Sequence, residues 1–148
     1  MAEHKVVIYP TADERKALSS YGPVETRVFD NLEAAIAAAT VILDQSQDPF
    51  LASVVADVSA STLEQYLEGR NFTARWLEKN PTSGCFSSRL MGADDWRKEG
   101  ITTALELEDY LDVCTFSDVY KSVRGFRPKN IPSDPAERAR ILERIECD

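Results

Sequence analysis

The chain has 148 residues, the size of one domain, and a domain of that size can bury roughly two thirds of the surface its unfolded chain exposes. Hydrophobic residues make up 43% and charged residues 28%, which argues against intrinsic disorder and against a coiled coil. A formal net charge of −8 argues against general nucleic-acid binding, which needs a basic face. We therefore expect one compact domain over residues 1 to 148.

Neither membrane insertion nor secretion is indicated. No apolar run approaches the roughly 20 residues of a membrane-spanning helix, and the first five residues lead into a strand-like segment without the pattern of a signal peptide. The cysteines, Cys85, Cys114 and Cys147, are far apart and lack the CxxC spacing of a zinc site. The sequence thus predicts a cytoplasmic protein with reduced thiols, of which Cys114 is expected to be buried.

The strand signals lie near the N-terminus. Residues 5 to 9 are rich in β-branched side chains, and residues 24 to 29 alternate apolar with polar residues, so both predict strands. Helices are predicted at residues 12 to 20 and after the capping residue Asp30. The apolar run at residues 50 to 58 is too short for its periodicity to distinguish a buried strand from a helix, and we interpret it as a third strand.

The rest of the chain predicts helix. Capping residues and apolar spacing indicate helices that begin near Ser61, Asp94, Thr103, Ser117 and Asp134, and helical spacing continues after the first of these from Phe72 to Asn80. A polar, glycine-containing loop at residues 80 to 88 is the candidate domain boundary. The expected fold class is α+β: a single compact domain, rich in helix, with a small sheet formed mainly by N-terminal strands.

The sequence contains no recognisable catalytic or metal-binding motif. His4 is the one histidine, and it lies near the chain terminus, where residues commonly fray. Phosphate-binding loops and clustered zinc ligands are missing as well. We therefore expect no catalytic residue, no metal and no cofactor. An enzyme whose site is assembled from residues distant in sequence stays as an alternative.

The most informative segment runs from Asp118 to Pro128. Two helical turns end at Gly125, which suits the left-handed conformation just past a helix end, and Pro128 prevents the helix from resuming. Phe126 is then expected to contact Tyr120, one turn back. The residues predict a sharply defined helix end.

Four cations lie within nine residues of this helix end: Lys121, Arg124, Arg127 and Lys129. On an acidic protein such a basic spot is a candidate contact surface. The competing interpretation is a solvated helix end, because Lys121 and Arg124 would interact favourably with the helix dipole. Trp96, which lies among charged residues, is the candidate apolar anchor for a partner, with a place in the core as the alternative.

The pattern DxYKxxxGFRP at residues 118 to 128 resembles a segment found near the C-terminal part of small uncharacterised proteins encoded by bacteriophages and prophages. The position after the proline is usually Arg in those proteins, and here it is Lys129. The resemblance covers residues 116 to 129. It implies a genomic neighbourhood, and no activity is attached to it.

These observations predict a small non-enzymatic accessory protein that binds a protein partner. The resemblance implies that the protein is phage-encoded, and a host defence system is then the expected context. Nucleic acid is the alternative partner, bound through the basic spot. A further alternative is DNA mimicry by the acidic face of the helix at residues 106 to 112.

Overall fold

The structure is a computed structural model that describes residues 1–18, 22–81 and 87–147. Its architecture is α+β, with a small antiparallel sheet near the N-terminus and a predominance of helix, as the sequence predicts. The end of the helix expected at residues 12 to 20 and the loop residues 82 to 86, with Cys85, lie outside the described residues.

The chain divides into two compact units, Met1–Ala104 and Leu105–Asp148. The expectation of a single domain stays a prediction, and so does the candidate boundary at residues 80 to 88.

In the described part of the first unit, three antiparallel strands form a sheet in the order β2-β1-β3. The strands are β1 (His4–Ile8), β2 (Glu25–Phe29) and β3 (Ala52–Val55). The predicted strand segments are confirmed, including the short apolar run that became β3. At the centre of the sheet Val6 is paired with Arg27 of β2 and with Val54 of β3.

Five helices accompany the sheet in the described part of this unit. They are α1 (Ala12–Leu18), α2 (Leu32–Ser46), α3 (Leu63–Arg70), α4 (Phe72–Lys79) and α5 (Ala93–Lys98). Helix α2 packs on all three strands, while α3 and α4 contact β3. The buried cluster includes Val6, Leu32, Ala35, Ala39, Leu43, Val54, Phe72 and Trp76. The apolar residues that recur at helical spacing along α2 therefore face the core.

Two helices begin one residue later than expected. The Asn31 side chain accepts hydrogen bonds from two backbone N–H groups of the first turn, at 2.7 and 3.3 Å, and caps α2 in place of Asp30. Thr62 and Gln65 exchange hydrogen bonds of 3.1 and 2.9 Å in a capping box at the start of α3, where Ser61 was expected to cap. Adjacent residues were competent caps in both places, so the local pattern did not distinguish them.

His4 is an ordered part of the sheet, and the expectation of a frayed end is wrong. It is 4% exposed, and its Nδ1 accepts a hydrogen bond of 3.0 Å from the backbone N–H of Asp57. The Asp57 carboxylate in turn accepts from the backbone N–H of Glu3 at 2.9 Å. That bond and the Ser59 hydroxyl hold the pKa of Asp57 below its ordinary value. The lone histidine thus has a structural hydrogen bond.

Replacing His4 with Ala should lower the free energy of unfolding by about 1–3 kcal/mol, because the Asp57 N–H loses its acceptor in a part-buried position. Urea denaturation of the purified variant measures this loss. Lys5→Ala, at the exposed neighbouring position, is the matched control and should stay within about 0.5 kcal/mol of the parent. Equal losses in the two variants would contradict the structural role of His4.

The second unit contains α6 (Ala104–Arg124) and α7 (Pro135–Cys147), with a connector between them at residues 125 to 134. Helix α6 is continuous over 21 residues, so the expectation of a new helix capped by Ser117 is wrong. Neither Gly nor Pro interrupts this stretch, and the adjacent Phe116 is buried, so nothing local ends the helix there.

The apolar residues at helical spacing along α6, which are Leu107, Tyr110, Leu111 and Cys114, are buried only in part. Leu107 is fully buried, but Tyr110 is exposed and Cys114 is an exposed free thiol, contrary to the expected burial of that cysteine. Helical spacing identifies which residues share a face, and it does not say how far along the helix that face is covered. Helix α7 begins as predicted, with the Asp134 carboxylate accepting from the Ala136 N–H at 3.0 Å.

Arg138 of α7 is the buried charge of the second unit. Its Nη2 lies 2.7 Å from Asp109 Oδ1, and its Nε donates to Asp112 Oδ2 at 3.0 Å. Its Nη1 donates to the carbonyl oxygens of Pro132 and Ser133 at 2.9 and 3.2 Å. Burial disfavours the charged guanidinium, but the hydrogen bonds and charges of the two aspartates more than offset this and raise the pKa of Arg138. One side chain therefore joins α6, α7 and the connector.

Removing both carboxylates, in the variant Asp109→Ala/Asp112→Ala, should lower the free energy of unfolding by about 3 kcal/mol, because a buried cation is left without its counter-charges. Glu108→Ala, on the same helix and exposed, is the control and should change stability by no more than about 0.5 kcal/mol. Thermal and urea unfolding check both values. A double variant as stable as the control would contradict the assigned role of Arg138.

Candidate partner-binding surface

The end of α6 has the predicted geometry. Gly125 has a φ of +85°, and its N–H donates to the carbonyl of Lys121 at 2.8 Å, which closes the helix with a left-handed residue. The Phe126 ring then folds back on Tyr120, with ring centroids 6.1 Å apart in an edge-to-face arrangement. The expected contact between these two rings is confirmed.

Arg127 fastens the turn to the helix that precedes it. Its Nη1 lies 2.8 Å from Asp118 Oδ1 and 2.9 Å from the Ser117 hydroxyl. Both partners in the ion pair are more than half exposed, so the pair contributes only about 0–1 kcal/mol to stability. Its consequence is geometric, because it restricts the path of the chain directly after Gly125.

The candidate cations lie together around this turn, and we name residues 121 to 129 the basic turn. Lys121, Arg124, Arg127 and Lys129 are all exposed. Of their charges, that of Arg127 is already opposed by Asp118. The basic turn also presents the aromatic ring of Phe126, which is 61% exposed. Cations and an apolar ring thus share one surface.

Trp96 is in the first unit and is 7% exposed. The condition for an anchor was a partly exposed ring, so this burial favours the core interpretation. The charged residues beside it also contribute to packing within the unit, because Arg97 of α5 binds Glu64 of α3 at 2.5 Å. Arg97, one of the charged residues that made Trp96 a candidate anchor, thus attaches α5 to α3.

The acidic face of α6 is partly used inside the protein. Asp109 and Asp112 bind Arg138, although each carboxylate is about half exposed. A DNA mimic needs an array of unopposed negative charge on its surface. The carboxylates of this face belong to Glu106, Glu108, Asp109 and Asp112. Two of these four are therefore directed at an internal cation.

A concave surface with a volume of about 490 Å³ lies in the first unit, between α2 and α4. Its walls include Phe72, Trp76, Asp44, Glu68, Arg75 and Lys79. The Trp76 indole donates to Asp44 Oδ1 at 2.8 Å, so that carboxylate already has a structural partner. The alternative of an enzyme without a motif would need a concave surface of this kind.

Over residues 1–18, 22–81 and 87–147, no cluster of His, Cys, Asp and Glu has the arrangement of a metal site. In the same ranges no helix has the length and apolar character needed to cross a membrane. Comparison of the chain with protein-family models, with curated proteins and with solved structures found no match. The geometry of the basic turn is therefore the basis for a functional proposal.

Gly125→Val should lower the free energy of unfolding by about 1–2 kcal/mol, because a β-branched residue is strained at a φ of +85°. Gly125→Asn is the matched control at the same position and should cost less, since Asn tolerates the left-handed region. Chemical denaturation of both variants measures the difference. Equal stability of the valine variant and the parent would mean that the helix does not end at Gly125 in solution.

Proposed function

We propose that this chain is a small, non-enzymatic cytoplasmic accessory protein that binds a protein partner through the basic turn. The exposure of Phe126 carries this proposal. Its ring is 61% exposed on a chain segment fixed by Gly125 and by Arg127. Aromatic residues and arginine are enriched at protein interfaces, and an exposed aromatic ring in a segment that carries exposed cations fits that pattern.

The resemblance of residues 118 to 128 to a segment of phage and prophage proteins supports the second part of the proposal. The resemblance covers residues 116 to 129 and so includes the whole basic turn, although Lys129 stands where those proteins usually have Arg. We therefore propose that the protein is phage-encoded and that its partner is a component of a host defence system.

Charge favours a protein partner over nucleic acid. The chain has a net charge of −8, and acidic residues outnumber basic ones in the second unit as well. A phosphate backbone would be repelled outside the small basic turn, where the Arg127 charge is already opposed by Asp118. A protein surface with a few acidic side chains matches the size of this basic area better than a nucleic acid does.

Reversing two exposed charges tests the proposal. Lys121→Glu/Lys129→Glu should reduce capture of the partner from a nuclease-treated bacterial lysate by at least about tenfold, because repulsion replaces attraction at the interface. Quantitative mass spectrometry of proteins retained by the parent and by the variant measures the change. Thermal unfolding confirms that the variant is folded.

The matched control is Lys16→Glu/Lys98→Glu, which changes the net charge equally at exposed positions of the first unit. It should retain the same protein as the parent. Equal loss in both double variants would contradict the proposal, since the effect would then follow net charge alone. Retention only without nuclease, with a steep decline as salt is raised, would assign the basic turn to nucleic acid instead.

A further inference from the structure

A groove of about 450 Å³ lies beside the basic turn, entirely within the second unit. Its apolar lining comes from Phe116, Tyr120, Phe126, Pro128 and Ile141. This volume lies in the range of about 300–1,000 Å³ that is usual for sites of small ligands. The groove can therefore hold a large apolar side chain together with neighbouring backbone.

The aromatic side of the groove is a ladder of three rings. Phe116 and Tyr120 have ring centroids 6.0 Å apart, and Tyr120 and Phe126 have centroids 6.1 Å apart. Phe116 is buried at one end of the ladder, whereas Phe126 is largely exposed at the other. A ring inserted beside Phe126 would gain an aromatic contact that the folded chain leaves unused.

Cations border this apolar lining. Lys129 from the connector and Arg144 from α7 both line the groove, and both are exposed. Lys121 and Arg124 lie in the last turn of α6, which supplies Tyr120 to the same groove. An occupant with an apolar group and neighbouring negative charges would match this lining.

We infer that the groove binds a short acidic peptide segment of the partner, in which one aromatic side chain is flanked by carboxylates. The inference rests on the proposed function and specifies the part of the partner that is recognised. The ring occupies the ladder beside Phe126, and the carboxylates meet Lys129 and Arg144. The turn is already fixed by the Gly125 and Arg127 hydrogen bonds, so little conformational entropy is lost on binding.

Single-stranded nucleic acid also combines aromatic bases with negative charge, but the surroundings of the groove disfavour it. Such binding requires a positively charged channel that follows the backbone over several nucleotides. Here Lys129 and Arg144 are the cations that line the groove in the described structure, and Asp118 opposes the charge of Arg127. These cations can pair with a few carboxylates, but they do not form a continuous positive channel for a nucleic-acid backbone.

The test is a titration of the isotopically labelled full chain with the blocked peptide Asp-Glu-Phe-Asp-Glu, followed by NMR. Saturable chemical-shift changes at the amides of Tyr120, Phe126 and Lys129 are expected. Replacing the peptide phenylalanine with serine, or its acids with the corresponding amides, should weaken binding at least about fivefold, since each change removes one of the two complementary features. Equal binding of either altered peptide would overturn the inference.

Three protein variants localise the effect. Phe126→Ala should weaken peptide binding about tenfold, as expected for loss of an aromatic anchor. Phe50→Ala removes a ring that is 63% exposed in the first unit and should leave binding unchanged. Lys129→Gln/Arg144→Gln alters only exposed charges and should weaken binding about fivefold, which keeps the test decisive if Phe126→Ala affects folding.

Failure of the inference and failure of the proposed function give different results. If the parent captures a partner that Lys121→Glu/Lys129→Glu loses, but the peptide causes no shifts in the groove, the inference is overturned and the proposed function stands. Tighter binding of a thymidine oligonucleotide than of the peptide, with shifts at the same amides, would also overturn the inference in favour of nucleic acid.

Discussion

The buried guanidinium of Arg138 is the constraint on which the second unit depends. A buried cation without partners is strongly destabilising, so the chain must bring acceptors to it from several directions. Two carboxylates of α6 and the carbonyls of Pro132 and Ser133 meet this requirement. Because Arg138 itself is on α7, these bonds fix the spacing of the two helices and the end of the connector at the same time.

The chain from Gly125 to Ser133 is held at both of its ends. At its start, the left-handed Gly125 and the ion pair of Arg127 with Asp118 direct the chain back along α6. At the far end of the connector, the carbonyl bonds to Arg138 hold the chain near the start of α7. Between them, Phe126 and Lys129 are exposed and line the groove. Restraint of the backbone would reduce the entropy lost if this segment binds a partner, which supports the proposed function.

Local chemistry determined what could be predicted from the sequence. Gly125 and the contact of Phe126 with Tyr120 follow from rules that involve only a few neighbouring residues, and the structure has both. The exposure of Cys114 depends on how far other elements cover a helix, which periodicity does not encode. Arg138 has the sequence appearance of a surface residue, and its burial follows from carboxylates 26 and 29 positions away. The groove likewise combines residues from α6, the connector and α7, so it could not be predicted from the pattern of any single segment.

Photo-crosslinking in living bacteria tests most directly whether Phe126 belongs to a protein interface. A benzophenone amino acid would replace Phe126 in one variant and the equally exposed Phe50 in another, and each would be irradiated during expression in bacteria. The account predicts a discrete crosslinked protein from position 126 and none from position 50. The same products from both positions, or none from position 126 in cells where the protein is abundant and folded, would contradict it.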